Sequence, residues 1–190
     1  MSRQALSRRG ALARCAAVAT LPSFAMSQAI ADTPPSAEVL ALLPQARLQG
    51  SGVLRFFGLR VYEARLWTMP GFDADSYAAK PFALELAYDR RLDGPAIAER
   101  SVAEMRRVAP FDEAKAKRWL ALMNQAFPNV VAGDRLLGFN NGEGEVRFFH
   151  NGRLTAQALD AEYARLFFGI WLAKQTSAPA LRESLLGLSR

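Results

Sequence analysis

The chain has 190 residues, 51% of them hydrophobic, which suits one packed domain and excludes a disordered chain. Its net charge of +6 would suit a nucleic-acid binder, but Arg3, Arg8, Arg9 and Arg14 all stand ahead of the first acidic residue, Asp32. Setting those four aside leaves 20 Lys+Arg against 18 Asp+Glu, a balance of +2 that offers phosphate backbones no electrostatic footprint.

Residues 1–31 read as an export signal: basic Ser7-Arg8-Arg9, a small and apolar run from Ala11 to Phe24, and Ala29-Ile30-Ala31 as a small-x-small cleavage site. The paired arginines resemble a twin-arginine leader and also occur in ordinary secretory ones. The apolar run is too short to span a bilayer, so a periplasmic or otherwise exported protein without stable membrane insertion is expected after cleavage near Ala31. Cys15, the single cysteine, lies inside this leader, so the mature protein would need no disulfide.

Residues 32–44 read as a spacer with a short helix from Ala37 to Leu43, and 45–190 as one domain. From Gln45 the pattern predicts a strand, a two-residue turn at Phe57-Gly58, and a second strand through Thr68, ended by Pro70-Gly71. Phe82 to Tyr88 alternates apolar and polar like a half-buried strand. Asp93 as N-cap and Pro95 in the first turn open a helix that Pro110 stops. Asp112 caps the next, closed by Pro128-Asn129. A three-stranded meander follows over Arg135–Asn140, Glu145–His150 and Arg153–Leu159, with Asn-Gly corners at 141–142 and 151–152. Asp160 then caps a helix carrying Tyr163, Leu166, Phe167, Ile170 and Trp171, and Ser177 with Pro179 starts a last helix ending around Gly187. Strands grouped before and after paired helices, without strand-helix alternation, make the fold class α+β.

With a two-residue loop at Phe57-Gly58, residue 55 pairs with 60, and Val53, Arg55, Arg60, Tyr62, Ala64 and Leu66 would share one face. Two guanidinium forks and a phenol in one patch suit a carboxylate. The competing reading makes the arginines solvated edge residues and Tyr62 core filler. His150 is the sole histidine and sits beside a turn, which suits an exposed turn residue better than a general base. With no second histidine and no cysteine in the mature chain, no metal site is expected. Gly138-x-x-x-Gly142-x-Gly144 lacks the Lys-Ser/Thr of a phosphate-binding loop and reads as hairpin geometry. Phe167, Phe168 and Trp171 are candidates for core or cleft lining. Glu104 is either a solvated helix residue or a base in an apolar cleft.

Gly50-x-Gly52 with Arg60-Val-Tyr-Glu-Ala-Arg-Leu-Trp67, Ala132-Gly-Asp-Arg135, Phe148-Phe-His-Asn-Gly152, Phe167-Phe-Gly-Ile-Trp-Leu172, Ser177-Ala-Pro-Ala-Leu-Arg182 and Leu185-Leu-Gly187, taken in this order and spacing, resembles the chalcone isomerase-like family in its bacterial exported branch. The resemblance implies an open-faced β-sandwich, a large antiparallel sheet with helices packed on one side, and an apolar cleft between sheet and helices. Plant members cyclise a chalcone to a flavanone; related non-catalytic members bind fatty acids. Placing the enzymes' residues on this chain puts their arginine at Arg55 and one threonine at Tyr62. Their helix tyrosine and asparagine fall at Ile97 and Glu104, and a second threonine near Phe168. Most of the catalytic set is thus replaced, while an arginine followed on the next strand by a tyrosine matches the fatty-acid binders. The resemblance implies, first, a binder of a fatty acid or similar apolar carboxylate, with Arg55, Arg60 and Tyr62 at the acidic end and Ile97 and Phe168 along the ligand. Second comes an isomerase acting on a chalcone-like enone, with Arg55 and Tyr62 as catalytic candidates. A third reading is an interaction protein with a filled cleft. No cofactor is expected in any of them, and no protein partner is named by the sequence.

Overall fold

The computed structural model describes residues 34–188, so the export signal expected over residues 1–31 lies outside the described residues. Ten-residue strands β1 (Arg47–Phe56) and β2 (Leu59–Thr68) are joined by Phe57 and Gly58, both at positive φ (47° and 77°), the two-residue turn that matches the twist of a hairpin. The chain continues through a 3-10 turn at Tyr77–Ala79 into β3 (Phe82–Tyr88), which pairs with β2. Helices α2 (Gly94–Val108) and α3 (Glu113–Ala126) follow, after which β4 (Arg135–Asn140), β5 (Glu145–His150) and β6 (Arg153–Leu159) complete the sheet. All six strands pair antiparallel in chain order. Helices α4 (Ala161–Leu172) and α5 (Pro179–Leu186) close the chain, and α1 (Ala37–Leu42) precedes it.

Cross-strand register carries one row of apolar side chains beneath α2, α4 and α5: Tyr62, Ala64 and Leu66 on β2, Leu84, Leu86 and Tyr88 on β3, Leu136 on β4 and Phe148 on β5. Alternation sends Trp67, Ala83, Leu137 and Phe139 to the opposite face, where Val39 and Leu43 of the N-terminal segment cover them as a second, smaller core. The helices are therefore not all on one side. For the same reason β3 is buried on both faces instead of half-buried, and its Glu85 is satisfied in the interior by Trp67 Nε1 and Arg135 Nη1, each at 3.3 Å. Pro34–Arg190 is one compact unit containing both cores, so it has the packing it needs to fold without the segment before it.

Three local expectations change. Asp93 occupies the N-cap of α2 but makes no side-chain cap; the Asn129 carboxamide oxygen accepts from Gly94 N instead, at 2.9 Å. The corner at Asn141-Gly142 is a four-residue loop, because the Asn141 side chain accepts from Glu143 N and Glu145 N and both Gly142 and Gly144 take positive φ. The N-cap position of the last helix is Ala178, not Ser177, and no side chain caps it. Asp112 and Asp160 cap α3 and α4 as expected, accepting from Lys115 N at 2.7 Å and Tyr163 N at 3.0 Å.

The Gly50-x-Gly52 motif is explained by α5. A Cβ at Gly50 would run into the Ser184 and Leu185 carbonyl groups, and one at Gly52 would meet Leu181 and Ser184. The glycines let the helix backbone lie directly on β1. Gly50→Ala should therefore lower stability by about 1–3 kcal/mol, read from urea unfolding midpoints. An unchanged midpoint would contradict this close seating of α5.

Candidate functional site

The hairpin carries the residues expected to form a carboxylate anchor, and the structure divides them. Arg55 does pair with Arg60, but Leu54 pairs with Tyr62, so Val61 is an unpaired extra residue, a β-bulge. Alternation from Leu54 then sends Arg55 to the face opposite Tyr62, and Arg60 with it. Both guanidinium groups are exposed: Arg55 donates to the Gly58 carbonyl at 3.3 Å, and Arg60 pairs with Asp89 at 3.0 Å. The single shared face expected from an unbulged hairpin does not form.

Tyr62 points inward, 8% exposed, and its hydroxyl oxygen accepts from Trp171 Nε1 at 2.9 Å. Tyr88 packs edge-to-face against its ring with centroids 5.7 Å apart. Burial pushes the Tyr62 phenol well above its ordinary range; the Trp171 N–H opposes this and the nearby Glu104 carboxylate adds to it. Glu104 is itself buried, contacting Arg100 Nη2 at 2.5 Å and Arg107 Nε at 3.6 Å, while its Oε2 has no hydrogen-bond partner. Phe168 is fully buried between Phe82, with ring centroids 4.7 Å apart, and the Cβ-free backbone of Gly138. Phe167 and Trp171 are core as well, and Ile97 packs at its margin. Sheet and helices thus meet around Tyr62 through filled aromatic packing.

A cavity of about 550 Å3 lies elsewhere, between the 3-10 turn, α4, the segment after it, and α5. Ala74, Ala78, Val108 and Leu172 are among its apolar walls, and Arg165, Lys174 and Arg182 are its cations. Lys174 pairs with Asp75 at the exposed rim at 2.8 Å. Among the described residues Arg165 and Arg182 have no carboxylate partner. Arg182 is held in place by donating from Nε to the Leu172 carbonyl at 2.8 Å, and Tyr77 by donating to the Arg165 carbonyl at 2.7 Å. Burial raises the Tyr77 phenol while the Arg165 and Arg182 charges draw it back down. Gly169 makes this wall possible, since a Cβ there would meet Tyr77 and Val108.

Sequence reasoning singled out neither Arg165 nor Tyr77, because the stretch from Pro70-Gly71 to Phe82 showed no periodicity and Arg165 reads as an ordinary polar helix position. Arg182 belongs to one of the motifs that carried the resemblance, and that was the available signal. His150 is half-buried, facing Asp134 at 3.6 Å and Asn151 at 3.2 Å in a polar turn. Among the described residues no group of three or more His, Cys, Asp or Glu side chains could hold a metal ion, and no helix is long and apolar enough to cross a membrane.

The family model for chalcone isomerase-like proteins matches residues 32–187. The chain belongs to the chalcone isomerase-like family. Among solved structures it is similar to the Arabidopsis thaliana fatty-acid binding protein AtFAP1, with a TM-score of 0.58, 11% identity, and coverage of 75% of this chain and 87% of that one. At that identity the likeness shows the shared fold. No curated protein matches the sequence.

All four tyrosines carry phenols raised by burial, most strongly Tyr62, Tyr88 and Tyr163. Unfolded phenols ionise near pH 10, so stability is fully present below that pH and falls above it, as the unfolded chain releases protons that the native one retains. Each of those three tyrosines should remove about 1.4 kcal/mol per pH unit above pH ~10. Absorbance at ~295 nm should show native tyrosinate forming only as the protein unfolds. Reversible ionisation of several phenols near pH 10 in the native state would contradict this burial.

Proposed function

We propose that this chalcone isomerase-like protein is a non-catalytic binder of a fatty acid or similar small apolar carboxylate. The observation that carries the reading is the cavity beside Tyr77, where apolar walls stand next to the Arg165 and Arg182 guanidinium groups. Its volume falls within the range of about 300–1,000 Å3 common to small-molecule sites. A guanidinium fork bonded to a carboxylate contributes about 1.5–3 kcal/mol and each buried methylene about 0.8 kcal/mol, so chain length would set much of the affinity. The fold shared with a protein described as fatty-acid binding supports the same reading. The basic and apolar leader supports action outside the cytoplasm, in the periplasm.

The isomerase alternative calls for polar groups open to a two-ring enone around Tyr62, and that hydroxyl is closed off beneath Trp171. The anchor first expected at Arg55, Arg60 and Tyr62 is the competing location for the carboxylate, and it leads to different mutant phenotypes.

Dodecanoate binding measured by titration calorimetry separates them. Arg165→Gln should weaken binding about tenfold to a hundredfold, with the methyl ester binding the parent protein as weakly as the acid binds the variant. Tyr62→Phe should leave affinity unchanged. A loss in Tyr62→Phe or Arg55→Gln with none in Arg165→Gln would move the anchor to the hairpin, and no uptake of acyl carboxylate by the parent protein would overturn the binder reading.

A further inference from the structure

The β1–β2 hairpin reaches past its neighbour. β2 pairs with β3 only from Tyr62 onward, so the tip from Arg55 to Arg60 projects beyond the β2–β3 ladder. Three of the six residues at that tip are large and apolar yet turned to solvent: Phe56 is 59% exposed, Phe57 90% and Leu59 57%. The Phe56 and Phe57 rings meet edge to face at 4.5 Å, forming one apolar knob. Phe57 holds φ 47° at the first central position of its turn, a place that suits Asn, Asp or Gly and strains a bulky aromatic. The corresponding place in the β5–β6 turn is filled by Asn151, also at φ 47°. Neither burial nor turn geometry accounts for a phenylalanine here.

Positive charge lies beside the knob. Arg55 and Arg60 flank it on its own strands, and the Arg60–Asp89 pair brings the end of β3, with exposed Arg90 and Arg91, alongside. Asp89 is the only carboxylate among residues 55–60 and 89–91. Exposed aromatics with arginines beside them complement the interface of an anionic bilayer, where rings sit at the headgroup boundary and guanidinium groups meet lipid phosphates. The same charge opposes packing of two copies tip to tip. We propose that the β1–β2 tip is a docking peg that inserts Phe56, Phe57 and Leu59 into the interfacial layer of an anionic lipid membrane, with Arg55, Arg60, Arg90 and Arg91 on the phosphates. This stands apart from the cavity and from whatever occupies it.

The test is vesicle flotation of residues 34–190, which removes the apolar leader as a competing membrane anchor. Vesicles of phosphatidylcholine with phosphatidylglycerol, roughly three to one, should retain the protein about tenfold better than phosphatidylcholine alone, and less so when salt rises from about 0.1 to about 0.5 M. Phe57→Asn should reduce retention about tenfold while holding or raising Tm, since asparagine suits the turn, so the loss would not reflect misfolding. Phe57→Trp should give emission that shifts to the blue only with anionic vesicles. Failure of the parent chain to float with anionic vesicles would overturn the proposal. So would equal retention of Phe57→Asn, or self-association through Phe57 in place of lipid binding.

Discussion

Helix α4 is the element on which the rest of the molecule rests. Tyr163, Phe167, Phe168 and Trp171 place four aromatic rings within three turns, and each has a different neighbour to hold. Tyr163 packs with Trp119 of α3, Phe167 with Phe127 and Phe148, Phe168 with Phe82, and Trp171 donates its indole N–H to Tyr62 on β2. Large aromatic side chains bury about 150–250 Å2 each, so this one helix supplies a large part of the apolar contact between the helical layer and the sheet. Its single glycine, Gly169, is where the 3-10 turn presses against it, and that contact forms a wall of the cavity.

The packing separates the two places where function could reside. Around Tyr62 the space between sheet and helices is filled by rings, and the polar groups there include the Tyr62 and Tyr88 phenols, the Trp171 N–H and the buried Glu104 carboxylate. Glu104 Oε2 lacks a donor, and a buried polar oxygen without a partner is costly. Its two arginine neighbours lie toward solvent, at side-chain exposures of 69% and 58%. Where α4 faces the 3-10 turn the reverse holds: cations stand beside open space with alanine and leucine among its walls. A carboxylate ligand is better matched to the second arrangement, because there it meets guanidinium groups without displacing packed aromatics.

Close approach recurs as a means of positioning. The α5 backbone lies on Gly50 and Gly52 of β1, the Phe168 ring lies on Gly138, and Tyr77 lies on Gly169. Each glycine is a site where a side chain would hold two elements apart, which gives the spaced glycines of the sequence a packing role. Two of them, Gly50 and Gly169, set the positions of the elements that carry Arg182 and Tyr77 into the cavity.

What the sequence determined by itself was set by local chemistry. The β1–β2 and β5–β6 turns, the Asp112 and Asp160 caps, the alternation of β3 and the helical spacing of the aromatics are all short-range, so element order and the α+β class were legible before any tertiary contact was known. The motifs from Gly50-x-Gly52 to Leu185-Leu-Gly187 likewise pointed to the family. Tertiary structure alone decided the rest. The bulge at Val61, which turns Arg55 and Arg60 away from Tyr62, leaves no mark in the strand pattern because it is a matter of pairing between strands. The burial of Glu85 on the second face depended on Val39 and Leu43 arriving from the segment read as a spacer. The grouping of Tyr77, Arg165 and Arg182 joins residues about 90 and 17 positions apart, and of the three only Arg182 stands in a stretch that the sequence marks out. Local propensity operates over a few residues, whereas the placement of a site depends on contacts that exist only once the helices have packed on the sheet.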